Sequence, residues 1–266
     1  ETDVSGIVPC GTTGESPTLS ESEHLQVIRT CVDGAKGKSL VMAGTGANST
    51  TEALSLTQAA DDAGADAFLL VAPYYNKPSQ EGLFAHFSAL AESTEKPIVL
   101  YSIPSRCGIE ISTEVVCRLR EKYPHICALK EAGGRSSKVS ETLISIDENF
   151  VVLSGDDGLT LPFMACGAKG VVSVASNLIP ELVTELVDLA LVGDFERARK
   201  IHLSNYQLFT DLFCEPNPVP VKTLMQMKGL IESSEVRSPL IAASSVNHDL
   251  LKGLGSKLSI PERVVS

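Results

Sequence analysis

Hydrophobic positions recur along this chain as short unbroken runs separated by amphipathic stretches. The runs lie at residues 6–10, 39–43, 67–71, 97–101, 126–130, 150–153 and 170–174. Runs without polar alternation predict strands buried on both faces, as in parallel sheets. The stretches between them carry helix signals. Ser20 with Glu23 and Ser49 with Glu52 have the spacing of capping boxes, Ser at the N-cap and Glu three residues on. After the last run, Leu182, Leu186, Leu189 and Ala190 fall on one helical face. Helical pattern continues over 194–230, interrupted at Pro216-Asn217-Pro218-Val219-Pro220.

This alternation predicts an α/β fold, a (β/α)8 barrel, over residues 1–192, with the catalytic centre. A helical extension packed on the barrel is expected over 193–266. Seven strand–helix units can be read, one short of the eight that close such a barrel. Either the first strand and helix lie before Glu1, or the sheet is open; the former is the simpler expectation.

Composition narrows the function. At 43% hydrophobic and 21% charged residues, the chain reads as an ordinary globular protein. A net charge of −11 without a basic run argues against nucleic acid and anionic membrane as partners. Seven Cys without a CxxC pair predict scattered thiols in a reducing, cytoplasmic setting, with neither disulfide frame nor zinc site. No metal is expected, and no apolar run is long enough for a membrane span.

Parallel barrels place chemistry where strands end. Lys130 ends the fifth run, so its amine is expected in a dry barrel mouth. Desolvation lowers an amine pKa, and a neutral amine can form a Schiff base with a ketone. The competing role is a lysine paired with Glu131 or Asp156. Glu131 is the poorer partner, because adjacent strand residues face opposite sides. Tyr101 also ends a run and suits proton relay, or simple packing. Gly11 and Gly14 bound a loop holding Thr12 and Thr13, and are expected to turn backbone N–H groups toward an anion. Arg106, in the loop after the fourth run, suits a carboxylate or a solvated surface. Tyr74 and Tyr75 suit packing or a subunit interface.

The segments GTTGES (11–16), GTGAN (44–48), PYYNKPSQEGL (73–83), LYSIPSRCG (100–108), LKEAGG (129–134), LSGDD (153–157), GVVSVASN (170–177) and EPNPVPVK (215–222) occur in this order. Together they resemble the dihydrodipicolinate synthase and N-acetylneuraminate lyase family. Arg106 and Lys130-Glu131-Ala132 favour its synthase branch. The resemblance implies a lysine Schiff-base aldolase joining pyruvate to L-aspartate 4-semialdehyde, in lysine and diaminopimelate biosynthesis, with no cofactor. It implies Lys130 as the iminium residue and a relay of Thr13, Tyr101 and Tyr75, the last reaching into a neighbouring subunit. Thr12 and Thr13 would bind the pyruvate carboxylate, Arg106 the semialdehyde carboxylate, and the Val172 carbonyl would line the site. A homotetramer built as a dimer of dimers is implied too. An inhibitory L-lysine site would fall on Ser16, His24, Asn48, Glu52 and Tyr74. Glu21 departs from the ring that inhibited members often carry there, and Ser102 replaces a frequent Asn. The alternatives are another pyruvate-dependent aldolase or lyase for a sugar acid or hydroxy-oxoacid, and a non-catalytic ligand-binding member.

Overall fold

The computed structural model describes residues 4–35 and 37–258. They group into two compact units. The larger comprises Ser5–Gly11 and Leu19–Val172; the smaller comprises Val4, Thr12–Thr18 and residues 173–258.

The larger unit is a parallel sheet whose spatial order follows the chain. Its strands are β1 (Gly6–Ile7), β2 (Leu40–Gly44), β3 (Ala67–Val71), β4 (Ile98–Ser102), β5 (Ile126–Glu131) and β6 (Val151–Ser154). Between and after them run α1 (Glu21–Ala35), α2 (Thr50–Asp62), α3 (Gln80–Ala91), α4 (Pro104–Cys107), α5 (Thr113–Lys122), α6 (Ser136–Leu143) and α7 (Thr160–Ala165). The predicted caps form. Ser20 N donates to Glu23 Oε2 at 2.8 Å while Glu23 N donates to Ser20 Oγ at 3.3 Å. Ser49 accepts from Glu52 N at 3.4 Å. Such caps stabilise a helix start by about 1 kcal/mol each.

Successive helices pack on one another, α1 on α2, α2 on α3, α3 on α5, α5 on α6 and α6 on α7. They cover one face of the sheet, where Phe68, Leu70, Leu100, Leu129 and Val152 are fully buried. Each such side chain contributes about 1.5–3 kcal/mol by leaving water. The opposite face gathers Val8, Met42, Leu69, Val99, Tyr101, Ala128 and Val151 into one cluster. Side chains from beside or within all six strands meet there, so the sheet is curled with this face inside. Period-2 alternation thus sorts each unbroken apolar run into a sealed outer face and a concave inner one.

Two predicted strands differ. β1 stops at Ile7, although Gly44 N still donates to Pro9 O at 2.9 Å. Pro9 has no N–H to continue the ladder, and Cys10 turns to φ 55°. The seventh run makes a single bridge, Ser154 to Val171, with two 2.8 Å hydrogen bonds. The chain then turns at Ser173, whose Oγ accepts from Ser176 N, before a ladder can extend.

The smaller unit is helical: α8 (Pro180–Leu191), α9 (Phe195–Asp211), α10 (Val219–Met227) and α11 (Ser245–Gly255). α8 packs on α9 and α10 on α11. The buried face of α8 is Val183, Leu186, Leu189 and Ala190, whereas Leu182 is 39% exposed. The expected face is therefore rotated by one residue, because 183, 186 and 190 follow helical spacing as well as 182, 186 and 189 do. Among the described residues, no helix is long and apolar enough to cross a membrane.

Candidate active site

Lys130 lies at the C-terminal end of β5, facing the concave side. A register shift puts it there. Ile98 pairs with Ile126, but Val99 pairs with Ala128, so Cys127 is the extra residue of a bulge. Downstream of it Tyr101 pairs with Lys130, and Lys130 with Leu153. Without the bulge Tyr101 would sit beside Leu129, which points to the helices. The bulge thus aims two polar side chains into the same concavity. The Lys130 amine stands 4.0 Å from the centroid of the Tyr101 ring.

Room for the amine comes from Gly155, just after β6. A Cβ there would lie 2.7 Å from Ala132 Cβ, 3.1 Å from Lys130 Cε and 3.2 Å from Glu131 O. Gly155 N is also tied to Glu131 O at 2.8 Å, so the two strand ends hold each other at a fixed distance.

The Lys130 pKa is lowered from 10.5 to about 8: burial is the main cause, Asp157 opposes it, and the positive charge of Arg106 adds a smaller lowering. Lys130 is 9% exposed, so desolvation outweighs the carboxylate. Asp157 is itself 2% exposed, in a 3₁₀ turn capped by Asp156, whose Oδ1 accepts from Gly158 N at 2.8 Å. The carboxylate that acts on the lysine is thus Asp157, and Asp156 serves the turn. Glu131 points to the other face, as strand alternation requires. Its Oε1 accepts from Gly133 N at 2.6 Å, and burial raises its pKa to about 7.

The other expected residues divide by unit. Arg106 is exposed in the short helix α4, entered from Ile103 and closed by Gly108 at φ 73°. Val172 is fixed by its N–H to Ser154 O at 2.8 Å, beside the end of β6. Tyr75 is 89% exposed and has φ 73°, a backbone conformation that costs a non-glycine residue about 1–3 kcal/mol. It projects into solvent rather than joining the buried pair of Lys130 and Tyr101.

His24, Asn48, Glu52 and Tyr74 also belong to the larger unit. His24 is buried, its Nε2 2.9 Å from Gly44 O; burial lowers its pKa while Gly44 O and Glu52 oppose. Tyr74 is half-buried, and its pKa is raised by burial and then by Glu52, while a backbone contact with Asn48 lowers it. Glu21 is exposed on the first turn of α1.

Thr12, Thr13 and Ser16 lie in the smaller unit. Thr13 Oγ1 accepts a hydrogen bond from Asn217 Nδ2 at 2.9 Å. Asn217 was given no role from the sequence, where it stands out only as an amide between two prolines within the EPNPVPVK segment. Gly11 and Gly14 do not take positive φ; Cys10 and Glu15 do, at 55° and 57°. Among the described residues no group of three or more His, Cys, Asp or Glu could hold a metal ion.

A curled parallel α/β sheet, helices outside and a depressed-pKa amine at the strand ends inside, is the arrangement of barrel-type α/β enzymes. The family profile described as the dihydrodipicolinate synthetase family matches residues 1–254. A 4-hydroxy-tetrahydrodipicolinate synthase of Sulfurihydrogenibium is 49% identical over 260 residues, covering 98% of this chain and 89% of that protein. The crystal structure of dihydrodipicolinate synthase from Aquifex aeolicus superposes with a TM-score of 0.96 at 47% identity, covering 98% of this chain and 89% of that one. An Acinetobacter baumannii synthase complexed with pyruvate (TM-score 0.91, 41% identity, 94% and 85% covered) is also similar. So is a Cyanidioschyzon merolae synthase with lysine bound (TM-score 0.91, 38% identity, 94% and 84% covered). The chain belongs to the dihydrodipicolinate synthetase family.

Proposed function

We propose that this chain is a 4-hydroxy-tetrahydrodipicolinate synthase, condensing pyruvate with L-aspartate 4-semialdehyde through a Schiff base on Lys130. The observation that carries the reading is the buried amine of Lys130, its pKa brought down to about 8, facing the concavity beside Tyr101. The family membership and the relatives' names support the same chemistry.

The neutral Nζ adds to the C2 carbonyl of pyruvate, and loss of water gives an iminium. The iminium nitrogen is cationic, so the Asp157 charge and the Tyr101 ring face favour it where they only opposed the neutral amine. Loss of a methyl proton gives an enamine. Its carbon attacks the semialdehyde carbonyl, whose oxygen takes up a proton. The amine of the semialdehyde then attacks C2 and expels Nζ, closing the ring and freeing Lys130. One water is lost overall. By resemblance, Thr13, Tyr101 and Tyr75 relay the protons, Thr12 and Thr13 hold the pyruvate carboxylate, the Val172 carbonyl lines the site and Arg106 holds the semialdehyde carboxylate.

The exposed Tyr75 fits a side chain offered to a second copy, as in a homotetramer made of dimers. The reading also includes a closed (β/α)8 barrel with a helical extension, of which these six strands and the bridged seventh are consecutive members, in a reducing cytoplasm suited to seven free thiols. Feedback by L-lysine is a second proposal, at Ser16, His24, Asn48, Glu52 and Tyr74. It is favoured by the nearness of the Glu52 charge to both His24 and Tyr74, and by the lysine-bound relative. Turnover of aspartate semialdehyde against sugar-acid aldehydes, with pyruvate fixed, tests the main reading. Preference for a sugar-derived aldehyde would reassign the chain to another pyruvate aldolase.

A further inference from the structure

We propose that Asn217 is a positioning residue that sets the direction of the Thr13 hydroxyl hydrogen; this rests on the role given above to Thr13 at the pyruvate carboxylate. Asn217 Nδ2 donates to Thr13 Oγ1 at 2.9 Å across 204 residues of sequence. A threonine hydroxyl has one hydrogen and two lone pairs. With a lone pair taken by the amide, the hydrogen is turned away from Asn217 and is left to donate to an incoming anion.

The surroundings hold this geometry. Asn217 is 6% exposed, and its Oδ1 finds no donor among the described residues. The loop bearing Thr13 is tied to the same segment a second time. Lys222 Nζ reaches Glu15 Oε2 at 3.0 Å, and Glu15 Oε1 accepts from Arg237 N at 2.9 Å. Lys222 also donates to the Glu235 carbonyl. Glu15 holds φ 57°, a left-handed conformation that such anchoring maintains. Anchors at Thr13 and Glu15 both come from the stretch 217–222. One fixes the loop, and the other fixes the polarity of its hydroxyl.

The polarity separates this role from plain packing. Asn217→Asp keeps the shape but presents only acceptors, so it draws the Thr13 hydrogen toward itself and adds a negative charge. Asn217→Ala leaves the hydroxyl free to rotate. The assay is borohydride trapping of pyruvate on the full chain, measured as the pyruvate concentration for half-maximal labelling of Lys130, beside a thermal melt. We expect a rise of a few fold for Asn217→Ala and on the order of tenfold or more for Asn217→Asp, the size of a lost charge-assisted hydrogen bond. On a Thr13→Val background the difference between the two should shrink to within about twofold. A packing role predicts the reverse order, Ala worse than Asp, and that order overturns the proposal. So does an Asp penalty that persists without the Thr13 hydroxyl. If Asn217→Asp fails to fold, Thr13→Ser against Thr13→Val decides: equal affinities show that the hydroxyl is not used, and a loss confined to Val supports the proposal. A wild-type chain that labels elsewhere than Lys130 removes the underlying reading, and the proposal with it; normal wild-type labelling with indifferent Asn217 variants removes the proposal alone.

Discussion

Replacing Gly155 by Ala tests whether the Lys130 amine depends on space left by a missing side chain. The added Cβ would meet Ala132 Cβ at 2.7 Å, Lys130 Cε at 3.1 Å and Glu131 O at 3.2 Å. A comfortable carbon–carbon separation is about 3.5–4.0 Å, so the first contact is short by nearly an ångström. Ala132 Cβ and Glu131 O belong to the backbone frame of β5 and its exit, and the Gly155 N–H to Glu131 O bond at 2.8 Å resists separation of the strands. Lys130 Cε is the one flexible neighbour, so it is the atom expected to move. Overpacking of this kind costs about 1–3 kcal/mol. For a chain of this size that is a fall in melting temperature of roughly 3–10 °C. Displacement of the reacting amine by a few tenths of an ångström to an ångström slows pyruvate trapping by about ten- to a hundredfold. The measurement is a thermal melt together with the borohydride trapping rate at saturating pyruvate. A variant that melts like wild type and traps at the wild-type rate would refute the idea that Gly155 makes room for the amine.

Imine formation needs the neutral amine, and burial holds the Lys130 pKa at about 8. Trapping should therefore fall about tenfold per pH unit below 8 and level off above it; a midpoint above 10 would show a solvated, ordinary lysine. Arg106→Ala should leave pyruvate trapping largely intact while lowering turnover with the semialdehyde by at least about tenfold, the loss of a charge-assisted pair to a carboxylate. It should also move the trapping midpoint slightly upward, because the guanidinium charge depresses the amine pKa. Equal loss of trapping and turnover would mean that the two substrates are placed wrongly. Tyr101→Phe keeps the ring against the amine at 4.0 Å and removes only the phenol. Turnover is expected to drop by roughly a hundredfold with the melting temperature little changed, and near-normal turnover would show that the phenol carries no proton.

How much of this was legible in the sequence depended on whether the determining interaction was local. Strands β2 to β6 fell within one residue of their apolar runs, because burial on both faces leaves no polar interruption. Ser20 and Glu23 sit three residues apart, so their cap could be read directly. The seventh run could not be read as a lone bridge, because a ladder is a property of the neighbouring strand and of the turn at Ser173. The bulge at Cys127 was hidden for the same reason, although it decides that Tyr101 faces with Lys130. Asp156 and Asp157 are adjacent and chemically identical in sequence. Only the turn that Asp156 caps shows which of them is left to act on the lysine. The left-handed backbone of Cys10 and Glu15 carried no local signal, and an anchor far along the chain, the Arg237 N–H, holds Glu15 there.

The most direct measurement is mass spectrometry with peptide mapping after incubation with pyruvate and borohydride. One reduced pyruvyl adduct is expected, on the peptide carrying Lys130, and it should be absent from a folded Lys130→Ala variant. An unlabelled wild-type chain, or an adduct that survives in Lys130→Ala, would contradict Schiff-base catalysis at this lysine.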